Sequence, residues 1–141
     1  MILSDGSILE LINQRVLSID PFREERLTPN GYDFGLSEVV ILRPGDGRQV
    51  ESLESVTLPS YISAMMLLRS SYARKGVVAS FGFVDAGFRG KIKFYLRNLG
   101  EETVEIVQER GAFQMIFLSM DKPALKTYEF RSGHYQNQGI K

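Results

Sequence analysis

Residues 69–90, with the sequence RSSYARKGVVASFGFVDAGFRG, contain the features that decide the fold of this 141-residue chain. The apolar run VVASFGFV at 77–84 predicts a strand, and the polar clusters RSS at 69–71 and DAGFRG at 85–90 predict a turn at each of its ends. Arginine and paired hydroxyl groups also bind phosphate oxygens well, because a guanidinium presents a rigid fork of hydrogen-bond donors. The stretch therefore predicts a strand-and-turn fold with phosphate-binding chemistry.

The rest of the chain repeats this pattern of short strands separated by turns. Further strands are predicted at residues 39–42, 62–68, 91–97, 103–107 and 113–118, with turns at PGDG (44–47) and NLG (98–100). The one substantial helix is predicted near the start of the chain, where Ser4 suits an N-cap and Ile8, Leu11 and Ile12 share a face. We therefore expect a mainly β fold, a jelly-roll β-sandwich or barrel with a short N-terminal helix.

The length and the distribution of apolar residues predict a single domain. Residues 1–130 carry the predicted helix and strands and form one β domain. Residues 131–141 are polar and poor in apolar anchors, which predicts a flexible C-terminal tail. This tail is a candidate lid for an active site.

Composition excludes several classes of protein and site. The chain has 17 basic and 17 acidic residues, and this balance argues against a protein that coats nucleic acid by bulk charge. It has no cysteine, which excludes disulfides, thiolate nucleophiles and cysteine-based zinc sites. No signal peptide and no membrane-spanning run are predicted. We expect a cytoplasmic domain with neither a nucleic acid nor a membrane as its partner.

Asp85 is the leading candidate for chemistry, because a carboxylate at a strand end can orient and deprotonate a water. The segment DAGFRG equally fits a simple turn in which Asp85 caps backbone groups, Gly87 takes a positive φ and Phe88 joins the core. The triplet RSS, taken alone, is more typical of a solvated basic turn than of a binding site. Each cluster is therefore weak evidence on its own.

Two further polar positions stand out. Asp33 belongs to NGYD (30–33), which predicts a loop with an acid beside an aromatic ring. Gln114 lies inside the apolar run 113–117, where a polar side chain needs a partner from the backbone or from a ligand. His134 is the only histidine and has no evident triad or metal constellation around it.

Taken in order, these segments resemble the motifs of the dUTPase and dCTP deaminase superfamily, in particular its deaminase-like branch. The first four motifs are matched by NGYD (30–33), RSSYAR (69–74), GFVDAGFRG (82–90) and GAFQMIF (111–117). The opening MILSDGSILE and the ending HYQNQG also resemble that branch. The resemblance covers nearly the whole chain and implies a distorted jelly roll that assembles as a homotrimer, with sites shared between subunits.

The resemblance implies hydrolysis of dUTP to dUMP and pyrophosphate. The position that matches Asp85 activates the water that attacks the α-phosphate. The resemblance implies that Mg²⁺ is held by the triphosphate and by waters, without a direct protein ligand, and that Asp33 either contacts the ion through water or stabilises the site. The implied substrate-binding positions are Arg69, Ser70, Ser71, Arg74, Gly82, Phe83, Phe88, Gln114, Arg131, Tyr135 and Gln138.

Tyr95 separates this activity from the family's other reaction. Deamination of dCTP requires a glutamate that shuttles protons at the base, and the matching position here is Tyr95. A phenol that titrates near pH ~10 replaces such a carboxylate poorly. dUTP hydrolysis is therefore the leading hypothesis. The alternatives are a dCTP deaminase, with or without hydrolysis of its product, and a catalytically silent protein that binds nucleotides or a protein partner.

Overall fold

The structure is a computed structural model that describes residues 1–140. The helical elements are α1 (Asp5–Asn13), α2 (Ser70–Ala73), α3 (Tyr128–Arg131) and a 3-10 turn at Glu24–Arg26. The strands are β1 (Ser18–Asp20), β2 (Leu27–Thr28), β3 (Gly31–Phe34), β4 (Val40–Leu42), β5 (Gly47–Thr57), β6 (Ile62–Leu68), β7 (Val77–Ser80), β8 (Arg89–Asn98), β9 (Val104–Ile106) and β10 (Phe113–Ser119). The predicted mainly β class with a short N-terminal helix is confirmed.

Three antiparallel sheets make up the fold. One four-stranded sheet has the order β1-β5-β8-β7, the second has the order β2-β3-β10-β6, and β4 pairs with β9. Strands distant in sequence become neighbours, such as β3 and β10, as a jelly roll requires. No helix within residues 1–140 combines the length and apolar character needed to cross a bilayer.

The core lies between the two larger sheets, and aromatic rings fill its centre. Phe34 stacks on Phe113 with ring centroids 5.3 Å apart, and Phe94 meets Phe113 edge-on at 5.1 Å. Phe81 packs against Phe94 at 4.6 Å. Because these rings come from strands of both sheets and from the segment after β7, they hold the two layers together.

The predicted helix is confirmed in position and in capping. The Ser4 hydroxyl accepts a hydrogen bond from the Ser7 N–H at 3.2 Å, as an N-cap does. Ile8 is fully buried, so the apolar face of α1 packs on the body of the domain. The helix covers part of the sheet that contains β3.

The run at 77–84 forms only a four-residue strand, and the predicted strand across its full length is wrong. The strand β7 ends at Ser80, and Val84 pairs instead with Ala64 of the other sheet through two backbone hydrogen bonds of 2.9 Å. The chain crosses from one sheet to the other between these points, and Phe81 turns into the core there. The residues before and after this crossing are equally apolar, so the sequence pattern did not predict that the chain changes sheets here.

The segment NGYD was predicted as a loop, and this is right only at Asn30, which lies in the turn between β2 and β3. Gly31–Phe34 is the strand β3, which lies between β2 and β10. Tyr32 is fully buried, and its hydroxyl accepts a hydrogen bond from the Arg23 N–H at 2.9 Å. The turn at Asn30 is followed at once by buried residues, which favour a strand in the middle of the sheet.

The long strand β5 was not predicted, because two of its inward positions are polar. Ser52 is buried, and its hydroxyl donates to the Glu54 carbonyl and accepts from the Ile92 N–H. Glu54 is only 1% exposed, and its carboxylate accepts hydrogen bonds from the Gly35 N–H at 2.9 and 3.3 Å. The Arg26 guanidinium lies 4.0 Å from that carboxylate.

Glu54 predicts a pH-dependent contribution to stability. Burial raises the pKa of its carboxyl above the ordinary 4.5, against the hydrogen bond from Gly35 and the charge of Arg26, which lower it. The folded state therefore keeps this proton to a higher pH than the unfolded state does. The resulting stabilisation is fully present below the unfolded pKa and is lost as the pH rises through the folded pKa.

We therefore expect Glu54→Gln, which is uncharged at every pH, to gain stability relative to the wild type as the pH rises from about 5 to about 8. Urea unfolding at both pH values measures this difference. Glu101→Gln, at an exposed position, is the control and should show no such trend. An equal offset between Glu54→Gln and the wild type at both pH values would contradict the assignment.

Residues after 131 contact the segment that follows Asp85. The Asn137 N–H donates to the Arg89 carbonyl at 2.6 Å, and the Lys91 N–H donates to the Gln138 carbonyl at 2.7 Å. The side chain of Gln136 accepts from the Arg89 N–H at 2.8 Å and donates to the Gly87 carbonyl at 3.0 Å. The flexible tail and the boundary at 130 stay predictions, although α3 spans that boundary.

Candidate functional site

The end of β6 carries a set of polar side chains that we call the arginine cluster: Arg69, Asp33 and Gln114. Arg69 follows β6 directly, and its N–H donates to the Ala112 carbonyl at 3.1 Å. Its guanidinium lies 3.6 Å from the Asp33 carboxylate. Gln114 pairs with Asp33 across β3 and β10, so the first, second and fourth predicted motifs meet at this point.

The side chain of Asn30 is a hydrogen-bond partner of Gln114, whose partner the sequence did not identify. Its side-chain amide donates to the Gln114 side-chain oxygen at 3.0 Å. The Gln114 amide group therefore has a defined orientation on an otherwise apolar strand, and its N–H donors stay available to a ligand.

Asp33 lies in a partly buried position within this cluster. Burial raises the pKa of its carboxyl, and the positive charges of Arg69 and Arg26 oppose the shift. Gly111 packs directly against Asp33, because a Cβ on Gly111 would lie 2.8 Å from the Asp33 Cβ. The absence of a side chain at 111 thus makes room for the carboxylate.

A cavity of about 670 Å³ opens beside the arginine cluster. Three cationic residues line it, Arg69, Lys75 and Arg110, together with Glu105 and the exposed Ser71. Ser70 and Arg74 lie at the first residue and at the C-cap of α2. This basic, hydroxyl-bearing surface suits an anionic ligand such as a polyphosphate.

The second set of candidate residues, which we call the aspartate cluster, surrounds Asp85 and includes Gly82, Phe83, Phe88 and Gln138. All five line one cavity of about 100 Å³. Asp85 and Phe83 are exposed at its edge, and Phe88 is buried in its wall. The cavity is small beside the roughly 300–1,000 Å³ of a whole-ligand pocket, so it suits part of a nucleotide.

The turn after Asp85 requires its glycines. Gly87 has φ +86°, and a Cβ there would collide with the Thr127 side chain. Gly90 has φ +150°, and a Cβ there would lie 2.7 Å from the Gln138 nitrogen. Phe88 packs edge-on against Tyr128 at 5.4 Å and belongs to the core. The simple-turn interpretation is thus confirmed for Gly87 and Phe88, and the turn lies beside a cavity.

Arg131 and Tyr135 lie on the same side of the domain as Asp85. Arg131 lines a further cavity of about 230 Å³ together with Asp85 and Lys126. Tyr135 is exposed, and its N–H donates to the Tyr128 hydroxyl at 2.7 Å. Of the tail positions predicted to bind substrate, only Gln138 lines the cavity of the aspartate cluster.

The two clusters do not meet within one chain. Val84, next to Asp85, pairs with Ala64, and Arg69 is five residues further along the same strand direction. A strand advances about 3.3 Å per residue, so the clusters are separated by about 16 Å or more. One copy of the chain therefore does not bring Asp85 and Arg69 to the same reacting phosphate.

Tyr95 lies away from the cavity of the aspartate cluster. It is on the outer face of β8, opposite Gln49 of β5, and is 44% exposed. A Cβ on Gly47 would lie 2.6–2.9 Å from its hydroxyl and ring, so the ring covers Gly47. Within the described residues, Asp85 is the only carboxylate that lines the cavity.

Sequence reasoning missed several residues of these sites. Lys93 and Tyr128 line the Asp85 cavity, and Lys75 and Arg110 line the basic cavity. The alternation of β8 places Lys93 on the outer face but does not single it out, because Lys91 and Tyr95 share that face and do not line the cavity. The other three depend on how distant segments pack, and no local pattern marks them. No group of three or more metal-ligating side chains is present within residues 1–140.

Comparisons with known proteins give two consistent results. A family model described as dCTP deaminase-like matches residues 35–120. The dCTP deaminase of Pyrococcus horikoshii is 31% identical, with 96% of this chain and 92% of that protein covered. The "dCTP deaminase, dUMP-forming" of Aquifex aeolicus is 30% identical, with 98% and 91% covered.

Similar solved structures include several dUTPases. A mutant dUTPase from phage phi11 of S. aureus superposes with a TM-score of 0.62 at 20% identity, covering 78% of this chain and 94% of that one. The native EIAV dUTPase gives 0.62 at 18% identity, covering 78% and 93%. These likenesses confirm the predicted dUTPase-like fold.

Proposed function

Since the chain belongs to the dCTP deaminase-like family, we propose that it is an enzyme that hydrolyses dUTP to dUMP and pyrophosphate. The observation that carries the proposal is the cavity of the aspartate cluster. Asp85 is the one carboxylate lining it within residues 1–140, and Tyr95 covers Gly47 instead. The cavity thus offers a base for water and no carboxylate for proton shuttling at a nucleobase.

In the proposed reaction, Asp85 orients a water and accepts its proton. The water oxygen forms a bond to the α-phosphorus, and the bond from that phosphorus to the oxygen bridging the α- and β-phosphates breaks. Pyrophosphate leaves with the electron pair of that bond, and Asp85 returns its proton to solvent. General-base catalysis of this kind contributes about 10²–10⁴-fold to a rate.

The arginine cluster supplies the electrostatic part of the mechanism. Arg69 is held by Asp33 at 3.6 Å, and Gln114 is oriented by Asn30 at 3.0 Å. Ser70 and Ser71 on α2, and Arg74 at its C-cap, add donors for phosphate oxygens. Side chains that are fixed before the substrate arrives stabilise developing negative charge without reorganising.

Mg²⁺ fits these residues in a substrate-held mode. Proteins bind Mg²⁺ through one or two carboxylates together with substrate phosphates, and retain several of its waters. Asp33 would supply such a carboxylate beside the phosphate-binding side chains. When bound, the ion would neutralise phosphate charge.

We further propose that the enzyme is a homotrimer in which each site combines the arginine cluster of one subunit with the aspartate cluster of another. The separation of about 16 Å along β6 supports this assembly, because a single chain leaves each cluster incomplete. Cyclic symmetry repeats the same contact at every interface, so three equivalent sites form.

This assembly predicts that two inactive variants restore each other's activity. Arg69→Met and Asp85→Asn should each reduce dUTP hydrolysis to a very small fraction of the wild-type rate when expressed alone. In trimers formed by coexpressing both at equal levels, about a quarter of the sites combine two intact clusters, so about a quarter of wild-type activity should return. The mixture of the separately purified variants, assayed at once, is the control. Coexpressed trimers with no activity above that control would contradict shared sites.

Deamination of dCTP is the second candidate function. The observation that favours it is the name shared by the curated relatives in Pyrococcus and Aquifex. It needs a proton carrier at the base, and Tyr95 would have to leave its place over Gly47 to supply one. Hydrolysis needs no such rearrangement.

A further inference from the structure

We propose that Arg26 is a positioning residue that holds the turn at residues 107–111, and with it Arg110, in place to bind the phosphates of the substrate. We call this segment the Arg110 turn. The inference deepens the proposed function and rests on it only in that the basic cavity beside Arg69 receives the triphosphate of a nucleotide. It assigns a role to a buried arginine that sequence reasoning did not single out.

The Arg110 turn contributes to the wall of the basic cavity. Val107 and Arg110 line this cavity of about 670 Å³ together with Arg69 and Lys75. Arg110 is exposed, and its side chain forms no ion pair with an acidic side chain among residues 1–140. Its guanidinium therefore keeps its fork of donors for the oxygens of a phosphate.

The Arg110 turn has little internal support. It joins the end of β9 to the start of β10, and its one internal backbone hydrogen bond among residues 1–140 runs from the Arg110 N–H to the Val107 carbonyl at 3.3 Å. A bond of that length is at the weak end of the usual range for N–H donors. The position of Arg110 therefore depends on contacts with other parts of the chain.

Arg26 supplies the main contacts of this kind. Its Nη2 donates to the Glu109 carbonyl at 2.9 Å and to the Gln108 carbonyl at 3.4 Å. Because one planar group holds two consecutive peptide units, it fixes the direction of the turn as well as its position. The Gln108 side chain adds a hydrogen bond to the Ser37 carbonyl. Loss of Arg26 should therefore loosen the turn without detaching it.

Arg26 is itself held from the side of the core. Its side chain is 9% exposed, and its Nη1 lies 4.0 Å from the Glu54 carboxylate, which accepts from the Gly35 N–H. A Cβ on Gly35 would lie 3.2 Å from that Nη1 and 3.1 Å from the Gln108 carbonyl oxygen, so no side chain fits between the arginine and the turn. A supporting side chain that is fixed in this way holds its target in place before a ligand arrives.

The test is a double-mutant cycle that measures the affinity for α,β-imido-dUTP with Mg²⁺ by calorimetry, since this analogue resists cleavage between the α- and β-phosphates. All variants carry Glu54→Gln, so that removal of Arg26 leaves no buried carboxylate without its partner. Arg110→Met should weaken binding about tenfold, and Arg26→Met about threefold to tenfold. The two together should weaken it no more than Arg110→Met alone. Arg23→Met is the matched control, because the exposed Arg23 side chain makes no hydrogen bond to the turn within residues 1–140.

A merely structural role for Arg26 gives a different result. It would lower the midpoint of urea unfolding and leave the affinity unchanged, or its effect on affinity would multiply with that of Arg110→Met, and either result would overturn the proposal, as would no binding by the parent protein. Gly35→Ala displaces the Gln108 carbonyl without removing a charge, and it should weaken binding only where Arg110 is present. Since the analogue is not turned over, coupling of Arg26 with Arg110 in a protein that does not hydrolyse dUTP would refute the proposed function alone.

Discussion

Asp85→Asn is expected to lower the rate of dUTP hydrolysis by about 10³-fold while leaving nucleotide affinity within about threefold of the wild type. Asparagine has the shape of aspartate but cannot accept the proton of the attacking water. The position is exposed at the edge of its cavity, so the substitution leaves no buried group without a partner. Loss of rate without loss of affinity is the signature of a group that acts in the transition state.

Two measurements check this expectation. Release of pyrophosphate from dUTP gives the rate, and calorimetry with α,β-imido-dUTP gives the affinity. Asp121→Asn is the control, since Asp121 is exposed and lines none of the three cavities beside Asp85 and Arg69. Unchanged turnover in Asp85→Asn would remove Asp85 from its role as the base.

The second large effect is expected on stability, from Gly31→Ala. A Cβ at this position of β3 would overlap the Met115 carbonyl oxygen on the neighbouring strand. Because the contact is with backbone in the middle of a sheet, the strands themselves must separate. We expect the free energy of unfolding to fall by about 2–3 kcal/mol.

The same substitution should also affect the arginine cluster. The new Cβ would lie 3.1 Å from the Gln114 Cγ, so the Gln114 side chain must shift and its hydrogen bond with Asn30 is disturbed. Urea unfolding measures the stability, and dUTP hydrolysis measures the site. Gly6→Ala is the control, because Gly6 lies in α1 and its new Cβ would meet only the Ser4 Oγ, at an ordinary contact distance of 3.9 Å; it should gain about 0.5–1 kcal/mol. A wild-type midpoint for Gly31→Ala would show that β3 and β10 are not packed as described.

How much of the fold can be predicted from the sequence depends on which side chains face the core. The strand predicted at 62–68 is confirmed at both ends, because its apolar run ends where Arg69 begins. The strand β5 escaped prediction because its inward Ser52 and Glu54 find their partners in Gly35, Arg26 and Ile92. Those partners lie far along the chain, and no local pattern shows that they satisfy a buried carboxylate.

The candidate site shows the same limit. The ordered motifs marked Arg69, Asp33 and Gln114, and the fold does bring these three together. The resemblance implied sites shared between subunits, and within one chain β6 separates RSS from DAGFRG by about 16 Å. A second subunit would bring these two segments together only through the assembly of subunits, and no single strand or turn of the sequence predicts that assembly.

The central claim, cleavage of the triphosphate rather than change of the base, is tested most directly by one paired assay. The wild-type protein is incubated with Mg²⁺ and either dUTP or dCTP, and pyrophosphate and ammonia are measured in both. We predict pyrophosphate and dUMP from dUTP and no ammonia from dCTP. Ammonia released from dCTP would contradict the account, as would saturable dUTP binding without any pyrophosphate.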